Sequence, residues 1–191
     1  RRQRNMSEPE MPPETIVKVE GTHVFFYCEV CEETVTELVT LLTKLETELM
    51  IGTVKLGMYG TAPQITLHLM SPGGDLYSGL AAMDFIKNMR SHVTTIAEGC
   101  VASAASLIFL AGDTRIVRRN AYVLIHQLSS DFWGKFEDLK DEMRQSEKLM
   151  RRLKRIYLRE TSLPEKKLDR LMKRDVYLSH SKCEKYGLTL P

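Results

Sequence analysis

A chain of 191 residues, 43% hydrophobic and 27% charged, has the material for one sizeable core and is short for two. Its formal net charge of +2 names no charge-driven partner; the basic cluster Arg151, Arg152, Lys154, Arg155 is interleaved with other side chains as on a solvated helix face, so nucleic-acid binding is not expected. No run approaches the roughly 18 apolar residues of a membrane span, and Arg-Arg-Gln-Arg-Asn-Met leads into Pro and Glu instead of an apolar leader, so the expectation is a cytoplasmic protein without a membrane partner.

Residues 1–14 hold Pro9, Pro12 and Pro13 and few apolar side chains, which predicts a flexible tail ahead of a single domain over 15–191. Short strands are expected at Thr15–Glu20 and Thr22–Cys28, around Gly21. Over Glu33–Met50, Val35, Leu38, Leu42, Leu45 and Leu49 recur at three- and four-residue intervals, an amphipathic helix. Cys28 and Cys31, where strand gives way to helix, form a C-x-x-C that raises zinc or redox chemistry. A structural zinc needs four ligands, and Cys100 and Cys183 stand far apart, so burial as small hydrophobes is the better reading for most of the cysteines; no metal is expected. Ile51–Pro63, punctuated by Gly52, Gly57 and Gly60, reads as a loop or small hairpin.

Gln64–Met70 alternates into a strand that stops at Ser71-Pro72-Gly73-Gly74, and Asp75–Arg90 restarts as a helix with Leu76, Leu80, Met83, Phe85 and Ile86 on one face. Such a turn leaves free backbone N–H groups at the carboxyl end of a sheet, where phosphates and oxyanions bind, although a plain turn uses the same residues. After a strand at His92–Glu98, the apolar block Gly99–Gly112 carries Ser103 between alanines, at or near the start of a buried helix. There the free N–H groups and the helix dipole suit an acyl-transfer nucleophile, and equally an N-cap contributing about 1 kcal/mol.

Strands come next at Arg115–Val117 and Ala121–Gln127. His126 closes the second, where an α/β sheet puts its sites, whereas His23, His68, His92 and His180 have contexts that a structural or surface imidazole explains. Lys135–Tyr157 is the longest element, striped by Phe136, Leu139, Met143, Ser146, Met150, Leu153 and Tyr157, and packs either on the core or on another subunit. A helix from Ser162-Leu163-Pro164-Glu165 to Lys173, a brief strand at Asp175–Leu178 and a last helix over Ser179–Tyr186, closed by Gly187, complete an alternation that argues for α/β layering.

Acyl transfer by a serine requires a base within hydrogen-bond reach, an acid orienting that base, and donors where the oxyanion forms. Ser-Pro-Gly-Gly, Gly-x-x-Ala-Ser, Ile-His-Gln, and Arg-Asp ahead of Tyr-Leu-Ser and a terminal Tyr-Gly-Leu stand here in the order found in the ClpP family of self-compartmentalised serine peptidases, which the chain resembles from about Thr22 to Leu188. The resemblance implies the ClpP/crotonase-like fold, an α/β arrangement of repeated β-β-α units with a long protruding handle helix at about 131–160. It implies Ser103 as nucleophile, His126 as general base and then acid, Asp175 as the orienting carboxylate, and the N–H groups of Gly74 and Ala104 as oxyanion hole. It further implies no cofactor, heptameric rings stacked in pairs as a tetradecamer, unfolded polypeptides as substrates held as an added strand, and a partner Clp ATPase that feeds them.

The sequence departs from the family at Ala105, at Leu128 in place of a proline, in a longer 51–63 segment, and in the lack of the usual axial-loop sequence ahead of Thr22. These departures mark a divergent member, such as a phage-encoded or specialised paralogue. Two other functions stay open: a non-catalytic ring subunit, and a crotonase-type acyl-CoA hydratase or isomerase, which shares the paired N–H groups but works through carboxylates.

Overall fold

A computed structural model of the chain describes residues 17–126 and 135–191; the expected tail over 1–14, Leu128 and the start of the handle at 131–134 lie outside the described residues. One mixed sheet organises the rest. β1 (Val17–Glu20) and β2 (His23–Phe26) form an antiparallel hairpin, with Gly21 supplying the positive φ of 59° at its turn. β3 (Gln64–Ser71) and β4 (His92–Ala102) extend the sheet in parallel. β5 (Thr114–Val117) pairs with the first half of β4 and β6 (Tyr122–Leu124) with the second, both in parallel; β7 (Tyr177–Ser179) lies antiparallel to β6.

The change of partner along β4 falls at Gly99, whose φ is +58°, and there the register with β3 also shifts. β4 thus runs four residues past the predicted end at Glu98, because Val101 and Ala102, which read as the front of an apolar helix, are fully enclosed strand residues. The helix begins only at Ala104.

The helices are α1 (Glu32–Lys55), α2 (Leu76–Lys87), α3 (Ala104–Leu110), α4 (Phe136–Glu160), α5 (Glu165–Met172) and α6 (His180–Lys185). α1 overruns its predicted end by a turn, so residues 51–55 are helical and the loop is confined to residues 56–63. Gly52 faces open space and costs the helix roughly 1 kcal/mol, too little to end it; the break comes at Gly57 and Gly60, both at positive φ. Cys31 sits at the α1 N-cap, where its N–H and Thr34 Oγ1 lie 3.1 Å apart. Of the four free cysteines only Cys183 is buried, which corrects the expectation of burial for most of them.

The core is continuous from Phe26 and Leu38 through Ile65, Leu67 and Leu69 to α3, all seven residues of which are buried. α4 is different: only Leu153, Ile156 and Tyr157, near its C-terminal end, are buried, while Phe136 and Met143 stand 69% and 56% exposed. No helix among the described residues is long and apolar enough to cross a membrane.

Arg115, from β5, is fully buried beneath the end of α4, where its Nη2 donates to the Glu160 carbonyl (2.8 Å) and lies 3.5 Å from that of Gly187. A cation there serves the Glu160 carbonyl that the end of α4 leaves free and approaches that of Gly187 just past α6, and burial holds the guanidinium below its ordinary pKa. Arg115→Ala is expected to lower the unfolding free energy by about 3 kcal/mol, read from the urea midpoint, with a smaller loss for the volume-keeping Arg115→Met.

Candidate active site

Ser103 is the hinge between β4 and α3, and its backbone adopts φ 55° and ψ −128°, the one positive φ among the described non-glycine residues. A strand entering a helix through a strained serine turn is the local geometry of a nucleophile elbow. The Ser103 N–H donates to the Leu124 carbonyl at 3.0 Å, and the Ser103 carbonyl accepts from the Ser106 N–H at 2.9 Å and the Ser106 hydroxyl at 2.6 Å. Although Ser103 holds the N-cap position, its side chain caps nothing, so the hydroxyl is left to the space in front of the turn.

The Ser71-Pro72-Gly73-Gly74 turn passes against this hinge. A Cβ on Gly73 would meet the Ala102 carbonyl oxygen and Ser103 Cβ, each at 2.6 Å, and one on Gly74 would lie 2.2 Å from the Val30 carbonyl oxygen. Only glycine allows both approaches, at φ values of +95° and +141°. Val30 grips the turn through two 2.7 Å bonds, from its N–H to the Gly73 carbonyl and from the Asp75 N–H to its own carbonyl. In such a parallel bridge the N–H of Gly74 faces away from Val30. The N–H of Ala104, first residue of α3, has no intrahelical acceptor. Asp75 caps α2 by accepting from the Ser78 N–H and hydroxyl, and those bonds hold its carboxyl below the usual range.

β6 and β7 bring the other two predicted residues together. Leu124 pairs with Tyr177, so continuing the antiparallel register by two residues sets His126 opposite Asp175. Their side chains meet with Nδ1 and Oδ1 3.8 Å apart, the imidazole 22% and the carboxylate 77% exposed, an ion-pair distance beyond hydrogen-bond length. Gly74, Ser103, Ala104 and His126 line one cavity of about 330 Å³, which α4 residues including Leu149 and Tyr157 also line. The Ser103 hydroxyl and the His126 ring face this shared space without a hydrogen bond between them.

The four other histidines have structural partners: His23 and His68 share a 2.9 Å contact, His68 reaches Glu98, His92 reaches Thr114, and His180 reaches the Val117 carbonyl. Sequence reading missed three residues that shape this turn, two of them through side chains. Ser106, fully buried, and Tyr157, 2% exposed, share a 2.7 Å hydrogen bond directly behind the Ser103 carbonyl. The available signal was a second serine within an otherwise apolar helix, together with a tyrosine at the end of the α4 stripe. Val30 was also missed, since its contribution is backbone alone.

The family model for Clp protease matches residues 19–189 of the chain. The chain belongs to the Clp protease family. It is 37% identical over 127 residues to the ATP-dependent Clp protease proteolytic subunit of Deinococcus radiodurans, a match covering 65% of this chain and 62% of that protein. A ClpP1 point mutant from Listeria monocytogenes has the same fold, with a TM-score of 0.75 at 23% identity over 88% of this chain and 89% of that one. Within this Clp protease family member, α4 falls inside the 131–160 range expected for the handle helix, with most of its side chains exposed.

The glycine contacts are open to direct measurement. Gly73→Ala is expected to cost about 2 kcal/mol or more in urea unfolding, because its methyl would overlap backbone, whereas Gly57→Ala at φ 71° in open space costs only about 1 kcal/mol.

Proposed function

We propose that the chain is the proteolytic subunit of a Clp-type serine endopeptidase and that Ser103, His126 and Asp175 form its catalytic triad. The observation that carries the reading is the convergence, on one cavity, of a serine on a strained strand-to-helix turn, a histidine at a strand end with a carboxylate behind it, and two N–H groups at neighbouring turns.

In this reading Ser103 Oγ attacks the scissile carbonyl carbon while His126 Nε2 takes the hydroxyl proton. The carbonyl oxygen, now negative, is held by the N–H groups of Gly74 and Ala104. Collapse of the tetrahedral intermediate breaks the C–N bond, His126 returns the proton to the leaving amine, and a water activated by the same imidazole then cleaves the acyl-Ser103 ester. Asp175 keeps the Nδ1 proton of His126 in place and stabilises the imidazolium. At 3.8 Å that contact tightens when substrate or a neighbouring subunit excludes water from the exposed carboxylate. The protein supplies all of this chemistry from its own side chains and backbone.

The exposed Phe136, Met143 and half-covered Leu139 on α4 support assembly into rings, heptamers stacked in pairs as tetradecamers, in which a second copy covers these side chains. Unfolded polypeptides in extended form are the proposed substrates, a Clp ATPase the proposed partner that delivers them, and the cytoplasm the proposed location. Family membership favours this reading over a crotonase-type acyl-CoA hydratase or isomerase. The non-catalytic ring subunit keeps a specific observation on its side, the unmade hydrogen bond between Ser103 and His126.

An alkyl fluorophosphonate separates the two. The native chain is expected to gain one adduct by intact mass, mapped to Ser103 and lost in Ser103→Ala, and Asp175→Asn is expected to cut hydrolysis of fluorescein-casein by about 10⁴-fold. A chain without an adduct at millimolar reagent is a scaffold, and an Asp175→Asn variant with native turnover has its triad acid elsewhere.

A further inference from the structure

The Ser103 carbonyl takes two hydrogen bonds from a single residue, and the second of them leads into the handle. Ser106 Oγ has one proton. It goes to the Ser103 carbonyl oxygen over 2.6 Å, so the 2.7 Å contact between Ser106 Oγ and Tyr157 Oη leaves Tyr157 as the donor. The order is therefore fixed as Tyr157 O–H to Ser106 Oγ, and Ser106 O–H to the Ser103 carbonyl. All of it is dry, with Ser106 at 0% and Tyr157 at 2% exposure.

A structural role alone would ask only that the two hydroxyls satisfy each other. The chain of donors does more, because it ends on the peptide group that sets ψ of Ser103, the residue whose backbone is held at φ 55° and ψ −128°. Losing the Ser106 hydroxyl removes one of the Ser103 carbonyl's two donors, and losing the Tyr157 hydroxyl frees the Ser106 hydroxyl to turn away; either loosens the Ser103–Ala104 peptide and so the aim of the serine side chain relative to the Ala104 N–H. Tyr157 also forms part of the cavity wall, on the buried end of α4.

We infer that Tyr157 is a positioning residue for acyl transfer: through Ser106 it holds the Ser103 carbonyl, and so aims the nucleophile and one oxyanion donor together. The inference rests on Ser103 being the nucleophile. Burial pushes the Tyr157 hydroxyl up to about 12, so the tyrosine remains a donor at any pH at which the chain is assayed.

The test compares the native chain with Tyr157→Phe, Ser106→Ala and the double variant. Phosphonylation of Ser103 by an alkyl fluorophosphonate, in which the Oγ–P bond forms as fluoride leaves, is followed by intact mass at several reagent concentrations, and stability by urea unfolding. Each single variant is expected to lower the maximal phosphonylation rate constant about tenfold, with the half-saturating concentration within about twofold of native, since aim is lost and the cavity is kept. Ser106→Ala also strands the buried Tyr157 hydroxyl, so the double variant should regain stability relative to it. The double variant's phosphonylation should nonetheless stay as slow as that of Ser106→Ala. Native phosphonylation rates in both single variants would overturn the inference, as would a double variant whose rate recovers in step with its stability. A native chain that takes no adduct defeats the nucleophile assignment itself, a result distinct from either.

Discussion

The structure hangs on a contradiction resolved at Ser103. From Val101 to Ala111 nearly every side chain is buried, yet one hydroxyl must reach a solvent-accessible cavity. A straight continuation of β4 or an earlier start of α3 would carry the serine into the core with its neighbours. The sharp turn at positive φ lifts it out, at a cost of roughly 1–3 kcal/mol for a non-glycine residue. That strain is offset locally by the bonds to Leu124 and Ser106, and the room for it comes from Gly73 and from the alanines that flank the serine. The surrounding packing over-determines the conformation, as a strained position requires in order to persist.

Two further constraints come from the sheet. Parallel strands β3 and β4 end side by side, which brings the Gly73-Gly74 turn and the Ser103 turn into contact beside one cavity. The antiparallel β6–β7 ladder, short as it is, delivers His126 and Asp175 as the next pair beyond its last rung. Three distant segments of the chain thus meet because strand register leaves them little alternative. α4 completes the cavity with its buried end and leaves its other end uncovered, so a helix that belongs to the core at Tyr157 belongs to another surface at Phe136.

Much of this was legible in the sequence, and the failures have physical causes. Three- and four-residue periodicity located α1 and α4, and the Pro-Gly-Gly turn marked the end of β3, because those signals are local. The boundary between β4 and α3 was misplaced, since a strand enclosed on both faces and a buried helix are the same apolar run when read along the chain. The end of α1 was misplaced for the opposite reason: Gly52 carries a breaker's signature, but on an open face it lacks the neighbours that would make it one. Ser103, His126 and Asp175 are proposed from the order of short motifs, whereas Ser106 and Tyr157 belong to no motif and emerge only when α4 is laid across α3. The clamp at Val30 is invisible to any reading of side chains.

A crystal structure of the chain with a peptide boronate would test the arrangement most directly, because boron mimics the tetrahedral carbon of acyl transfer. The expected result is a covalent bond from Ser103 Oγ to boron, one boronate oxygen about 3 Å from the N–H groups of Gly74 and Ala104, and the other near His126 with Asp175 drawn in behind it. Boron bound elsewhere, or a boronate oxygen turned away from both N–H groups, would contradict it.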